Sequence, residues 1–169
     1  RRHSAQQAVD AVQMLQRAGY DNISVDVIFG VPGFGLTELD DTLQKILAMN
    51  VQHISAYHLT IEPNTAFGRR LARGEMSEVA EDQSEKEYAM LHNRLTEEGF
   101  EHYEVSNYAL EGFRAKHNSS YWQGVEYLGI GAGAHSFSRD NRTWCISTAK
   151  EYAEGLFRYE DEQLSADDH

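Results

Sequence analysis

The run Ile23-Ser24-Val25-Asp26-Val27-Ile28-Phe29 constrains this chain more than any other stretch. It is β-branched, almost wholly apolar and closed by Gly30 and Pro32, the pattern of a strand buried on both faces of a sheet. An amphipathic helix is predicted before it, over residues 5–18. Ser4 and Gln7 form its capping box, Ala5, Ala8, Val9, Val12 and Leu15 recur at helical spacing, and Gly19 ends it. A second helix is predicted over 37–49, with Leu39, Leu43, Ile46 and Leu47 inward and Asn50 at its end, then a second strand over 53–59. Helix, strand, helix, strand is the order of a parallel sheet, open or closed into a barrel, with helices outside. Two such units cannot close a barrel. Functional residues of such sheets gather at the strand C-terminal ends and the loops beyond, which here means Asp26 to Gly33 and Tyr57 to Thr65.

Farther along, residues 66–76 read as an Arg-rich loop or turn. An acidic helix over about 78–98 follows, with Tyr88, Leu91 and Leu95 as its inner stripe and Gly99 at its end, and then a third strand over 102–109. Thr148 and Glu151 form another capping box, opening a helix over about 149–158. No internal repeat interrupts this order.

Charge and cysteine content remove several classes of function. A net charge of −12 argues against a nucleic-acid partner, because affinity for phosphate backbones rests on Lys and Arg. The acidic runs Glu78 to Glu87 and Glu160 to Asp168 read as solvated faces. No apolar run approaches the roughly 20 residues of a spanning helix, and no secretion signal opens the chain, so the expectation is a cytoplasmic protein without a transmembrane segment. Cys145, the single cysteine, can neither pair internally nor hold an iron–sulfur cluster or a zinc ion unaided. The chain starts at Arg1-Arg2-His3 without methionine and ends at Ala166-Asp167-Asp168-His169, and we expect it to be a section of a longer protein.

Between Tyr103 and Phe137 the residue choice is poor for an ordinary core. His117 and His135, Asn107 and Asn118, the alternate glycines Gly129, Gly131 and Gly133, and the Tyr121-Trp122 pair lie close together, and the glycines permit close backbone approach. A ligand surface is one reading and packed structure the other. The glycine run is not followed by a helix start, as a dinucleotide fingerprint requires, and no histidine pair has metal-binding spacing. His117 is either a satisfied polar residue or an axial ligand for haem iron, with aromatic side chains covering the macrocycle. Tyr121 and Trp122 are then either core or ligand contacts. Asp26, on a strand otherwise made for burial, needs a partner, either structural or a ligand group.

Several spaced motifs together resemble one family. They are Arg1-x-His3-Ser4, Asp26-Val27-Ile28-Phe29-Gly30-Val31-Pro32, His53-Ile54-Ser55-x-Tyr57-x-Leu59, Ile61-Glu62-Pro63-x-Thr65, Tyr103-Glu104-Val105-Ser106-Asn107, His117-Asn118-x-x-Tyr121-Trp122 and Gly129-x-Gly131-x-Gly133-Ala134-His135-Ser136. The series resembles the oxygen-independent coproporphyrinogen III oxidase family of radical SAM proteins, and the HNxxYW motif points to its haem-chaperone branch. The resemblance implies an α/β fold: a partial radical SAM (β/α) barrel, its later βα units over residues 1–65, followed by an α/β extension over 66–169. It also implies S-adenosylmethionine (SAM) and a 4Fe-4S cluster in the full-length protein, the cluster being held by an N-terminal CxxxCxxC that this chain lacks, so that the chain alone is expected to be inactive. By position Arg1 and Asp26 match polar contacts to SAM, Ile28, Tyr57 and Thr60 match apolar and backbone contacts, and His117 matches the histidine implicated in haem binding. Gly33-Phe34-Gly35 departs from the family's Gly-Gln-Thr. A haem-accepting protein partner and dimerisation through exposed strand edges are further expectations. The alternatives are a true coproporphyrinogen oxidase, decarboxylating two propionates, and a non-catalytic α/β interaction module whose Tyr and Trp are core.

Overall fold

In the computed structural model, which describes residues 3–165, the chain divides into two compact units between Ala115 and Lys116. The first contains α1 (Ala5–Arg17), β1 (Ser24–Phe29), α2 (Leu36–Leu47), β2 (His53–His58), α3 (Ala66–Ala72), α4 (Glu81–Glu97), β3 (Glu101–His102) and β4 (Asn107–Ala109). The second contains α5 (Lys116–Trp122), β5 (His135–Ser138), β6 (Asn141–Cys145), α6 (Ala149–Ala153) and β7 (Tyr159–Gln163).

Helix α1 starts as its sequence predicts: Ser4 Oγ accepts the Gln7 N–H while the Gln7 side chain accepts the Ser4 N–H. Its end is tied to the end of α2, where Gln16 Nε2 donates to the Met49 carbonyl at 2.7 Å. Strands β1 and β2 pair in parallel, with Asp26 opposite Ser55 and Ile28 opposite Tyr57. The third strand expected over 102–109 is instead a hairpin, β3–β4, folded back at Tyr103–Ser106, and β4 runs antiparallel to β2. The sheet is therefore mixed, in the order β1-β2-β4-β3.

Side chains alternate across a sheet, so its two faces differ. Val27, Phe29, Ile54, Ala56 and Tyr108 point to a core shared with Leu39, Leu43 and Ile46 of α2 and Leu91 and Leu95 of α4. Each fully buried leucine there contributes about 1.5–3 kcal/mol. The opposite face carries Ser24, Asp26 and Ile28 beside His53, Ser55 and Tyr57. It is not buried as the sequence suggests: Asp26 is exposed and Ile28 is 58% exposed.

Helix α4 also departs from its predicted stripe. Tyr88 lies 43% exposed, whereas Glu87, expected in solvent, is buried at 2%. Its carboxylate accepts the Gly30 N–H at 2.8 Å and a Gln83 Nε2–H at 2.6 Å, and so holds the loop after β1. Gly30 has φ +69°, and a Cβ there would lie 2.3 Å from His58 Nε2, so only glycine fits beneath that ring. The expected loop over 66–76 contains α3, capped by Thr65 Oγ1, which accepts the Gly68 N–H.

In the second unit, β5, β6 and β7 form an antiparallel sheet with β6 in the middle. Cys145 of β6 is buried, together with Ser147 and Leu164. The part of the acidic tail that is described, expected in solvent, is exposed along Tyr159–Gln163 but forms a strand, β7, and α6 is shorter than the helix predicted over 149–158. The HNSSYW run, set in a stretch poor in helix formers, folds as the seven-residue α5. Gly129 meets the chain itself: a Cβ there would lie 2.1 Å from the His135 carbonyl oxygen. Tyr127 and Phe137 exchange two backbone hydrogen bonds of 2.9 Å around this loop.

Candidate functional sites

Two regions carry the candidate residues, one in each unit. In the first unit the β1–β2 register brings Asp26 beside Ser55 and Ile28 beside Tyr57 on the open face of the sheet, and Thr60 follows two residues past the end of β2. Tyr57 is 42% exposed and Thr60 is also exposed. An exposed carboxylate therefore lies next to two uncovered apolar side chains that lead to the C-terminal ends of parallel strands, the location where such sheets bind ligands. Arg1 lies outside the described residues.

The same face holds polar groups that the sequence reading named only within motifs and gave no role at this site. Ser55 pairs with Asn107 of β4, which extends the Asp26–Ser55 row by one strand. Asn107 Nδ2 donates to Glu104, while its Oδ1 is buried with no hydrogen-bond partner among the described residues. His53, buried, bonds through Nδ1 to Ser24 Oγ and through Nε2 to Tyr103 Oη, both at 2.7 Å. Tyr103 Oη accepts the Ala115 N–H at 3.2 Å. With the Tyr103 hydroxyl donating to Nε2 and the ring proton on Nδ1 facing Ser24, all three groups are satisfied. Burial holds the His53 pKa below its usual value, against the opposing pull of the Glu104 and Asp26 carboxylates. Burial likewise pushes the Tyr103 hydroxyl up. The network keeps a neutral imidazole at the buried end of this face. The signal available in the sequence was the period-two spacing that puts His53 and Ser55 on the side of Tyr57.

In the second unit, His117 is exposed on α5 and its Nε2 lies 2.9 Å from Tyr121 Oη. The two rings meet edge to face at 5.0 Å, Tyr121 meets Tyr127 in the same way at 4.8 Å, and Tyr127 lies 6.0 Å from Phe137. Tyr121, Trp122, Tyr127 and Phe137 line a cleft of about 690 Å³, within the size range of small-molecule sites. Trp122 is 65% exposed, so it is not core. The structure thus brings Asp26, Ile28, Tyr57 and Thr60 to one end of one sheet and puts His117 in the other unit, beside an aromatic cleft. Among the described residues no group of three or more His, Cys, Asp and Glu side chains is arranged to hold a metal ion.

No family model matches the chain. It is 38% identical over 137 residues to a protein named heme chaperone HemW from Lactococcus lactis, covering 81% of this chain and 36% of that protein. It is 32% identical over 163 residues to heme chaperone HemW from Bacillus subtilis, covering 94% of this chain and 43% of that protein. The chain thus spans about two-fifths of the length of these relatives. Among solved structures, the coproporphyrinogen III oxidase HemN from Escherichia coli, described as a radical SAM enzyme, superposes with a TM-score of 0.74 at 16% identity, over 99% of this chain and 42% of that one. That likeness extends to the fold.

Proposed function

Because this chain belongs to the HemW-like family of radical SAM proteins, we propose that it works within a cytoplasmic haem chaperone, where its second unit receives haem through His117. Residues 1–65 would be later βα units of the barrel, and residues 66–169 the extension that follows. The observation that carries this reading is His117 itself, an exposed imidazole set edge to face against Tyr121, which lines an aromatic cleft. Imidazole nitrogen is a good axial ligand for haem iron, and aromatic faces suit the macrocycle. Tyr121 Oη lies at the Nε2 atom that would meet the metal, so coordination through that atom displaces the hydroxyl. Passing the haem to an accepting protein belongs to the same reading.

The open face of the first sheet fits SAM by the chemistry of its groups. Asp26 would take polar contacts to the ribose or amino-acid part, Ile28 and Tyr57 would cover the apolar surface of the base, and Thr60 would add backbone contacts. Arg1 belongs to the same proposed set. Bound SAM, with a reducing cluster, supplies an adenosyl radical. The residues of this chain do not fit the cluster itself: Cys145 is buried and is the single thiol.

The test is a titration of the chain with haem, followed through its Soret band, with His117→Ala alongside. Saturable, near-stoichiometric binding that the substitution abolishes is the expected result. Equal binding by both proteins would remove His117 from the site.

A further inference from the structure

We infer that the tetrapyrrole seat extends from α5 across one face of the β5–β6–β7 sheet, and that Arg142, in the middle of that face, pairs with a carboxylate of the ligand. The inference rests on the haem reading above and adds to it the chemistry by which a porphyrin would be chosen and oriented.

In β5, His135 and Phe137 point to the same side, and their cross-strand partners in β6 are Trp144 and Arg142. His135 and Trp144 stack at 5.8 Å with planes only 17° apart, and Tyr127 packs beside Phe137. On β5 and β6 the result is a row of aromatic side chains with Arg142 set in it, and Glu160 and Glu162 of β7 stand opposite Trp144 and Arg142 on the same face. Two hollows open on that surface, of about 690 and 440 Å³, and Tyr127 and Arg142 line both. A flat ligand lying over Tyr127 would reach into both hollows with the guanidinium at its edge.

Arg142 is available for such a role. Its ion pair is with Glu162 of β7 at 3.9 Å, beyond hydrogen-bonding distance, with both side chains about half exposed. A guanidinium binds a carboxylate through two parallel N–H···O bonds, a geometry that Glu162 does not provide here. In a chain of net charge −12, a cation on an aromatic face admits a planar anion where the rest of the surface repels it. A porphyrin with free propionates is a planar anion of that kind.

The test uses the whole chain and metal-free protoporphyrin IX, which cannot be ligated by His117, together with its dimethyl ester, which has no free carboxylate. Tryptophan quenching reads binding. The diacid should bind wild type, and Arg142→Leu should weaken it by about 10- to 100-fold, the range for a hydrogen bond to a charged group. Arg142→Lys should recover part of the loss. Glu162→Gln, which removes a competing carboxylate, should tighten binding. The ester should not distinguish Arg142→Leu from wild type. If Arg142→Leu binds the diacid as wild type does, or the ester binds as tightly as the diacid, the inference is overturned and Arg142 is only a cross-strand partner of Glu162. Haem binding that needs His117 but ignores Arg142 would leave the haem reading standing alone. Diacid binding that needs Arg142, with haem binding indifferent to His117, would do the reverse. Binding of neither porphyrin nor haem would remove both.

Discussion

His53 lies buried on the Asp26 face of the first sheet as a neutral ring, and that has a consequence for stability. Its folded-state pKa lies below the ordinary value near 6.5 because burial penalises the charged form. The unfolded chain therefore binds the proton first as pH falls. Stability from this residue is fully present above about pH 6.5 and is lost as pH drops from there towards the depressed folded pKa. Urea unfolding at pH 7.5 and 5.5 should show a larger loss for wild type than for His53→Gln; equal losses would mean that the ring takes up its proton as readily in the folded protein as in the unfolded chain. Residue roles were partly legible in the sequence. Asp26 stood out as a carboxylate in an apolar run, but the same run could not tell a strand buried on both faces from one with an open face. Glu87 was hidden because it belongs to an acidic helix whose charges otherwise face solvent, and its buried partner Gly30 is 57 residues away.

Among the elements, the long amphipathic helices α1, α2 and α4 were readable from spacing and caps, because burial of one stripe decides them. The short elements were not. Helix α3 has seven residues, two of them Arg69 and Arg70, and it forms because Thr65 caps it and Gly68 lies against the Glu62-Pro63 backbone. A Cβ at Gly68 would lie 2.2 Å from the Glu62 carbonyl oxygen. Gly68→Ala, which improves helix propensity in isolation, should therefore destabilise the protein by about 1–3 kcal/mol through overpacking. Thermal unfolding reads this, and a raised Tm would mean that the turn yields freely. Strand β7, Tyr-Glu-Asp-Glu-Gln, is exposed throughout and has no apolar alternation to read. It is a strand because the edge of β6 offers it a ladder, with Arg142 facing Glu162 across the pair.

At the scale of the molecule, the sequence put a boundary at residue 65, whereas the compact units part between Ala115 and Lys116. The difference comes from the pairing of β4 with β2, a contact between segments about 50 residues apart that no local pattern announces. The parallel β1–α2–β2 unit was legible; the hairpin that completes its sheet was not. Among the described residues, strand β1 ends that sheet on one side, and its outer backbone groups have no neighbouring strand there. Such an edge invites pairing with another copy. Light scattering over a wide concentration range should show a mass rising towards that of a dimer, and a constant monomer mass would refute it.

The second unit contains a natural clock in Cys145. This lone thiol lies in β6, between β5 and β7, and only 2% of its surface is exposed. A water-soluble disulfide reagent meets the sulfur only when the packing over it opens, so the rate of labelling counts openings of the second unit around that strand. No introduced probe is needed, and with no other cysteine in the chain, the signal comes from one place.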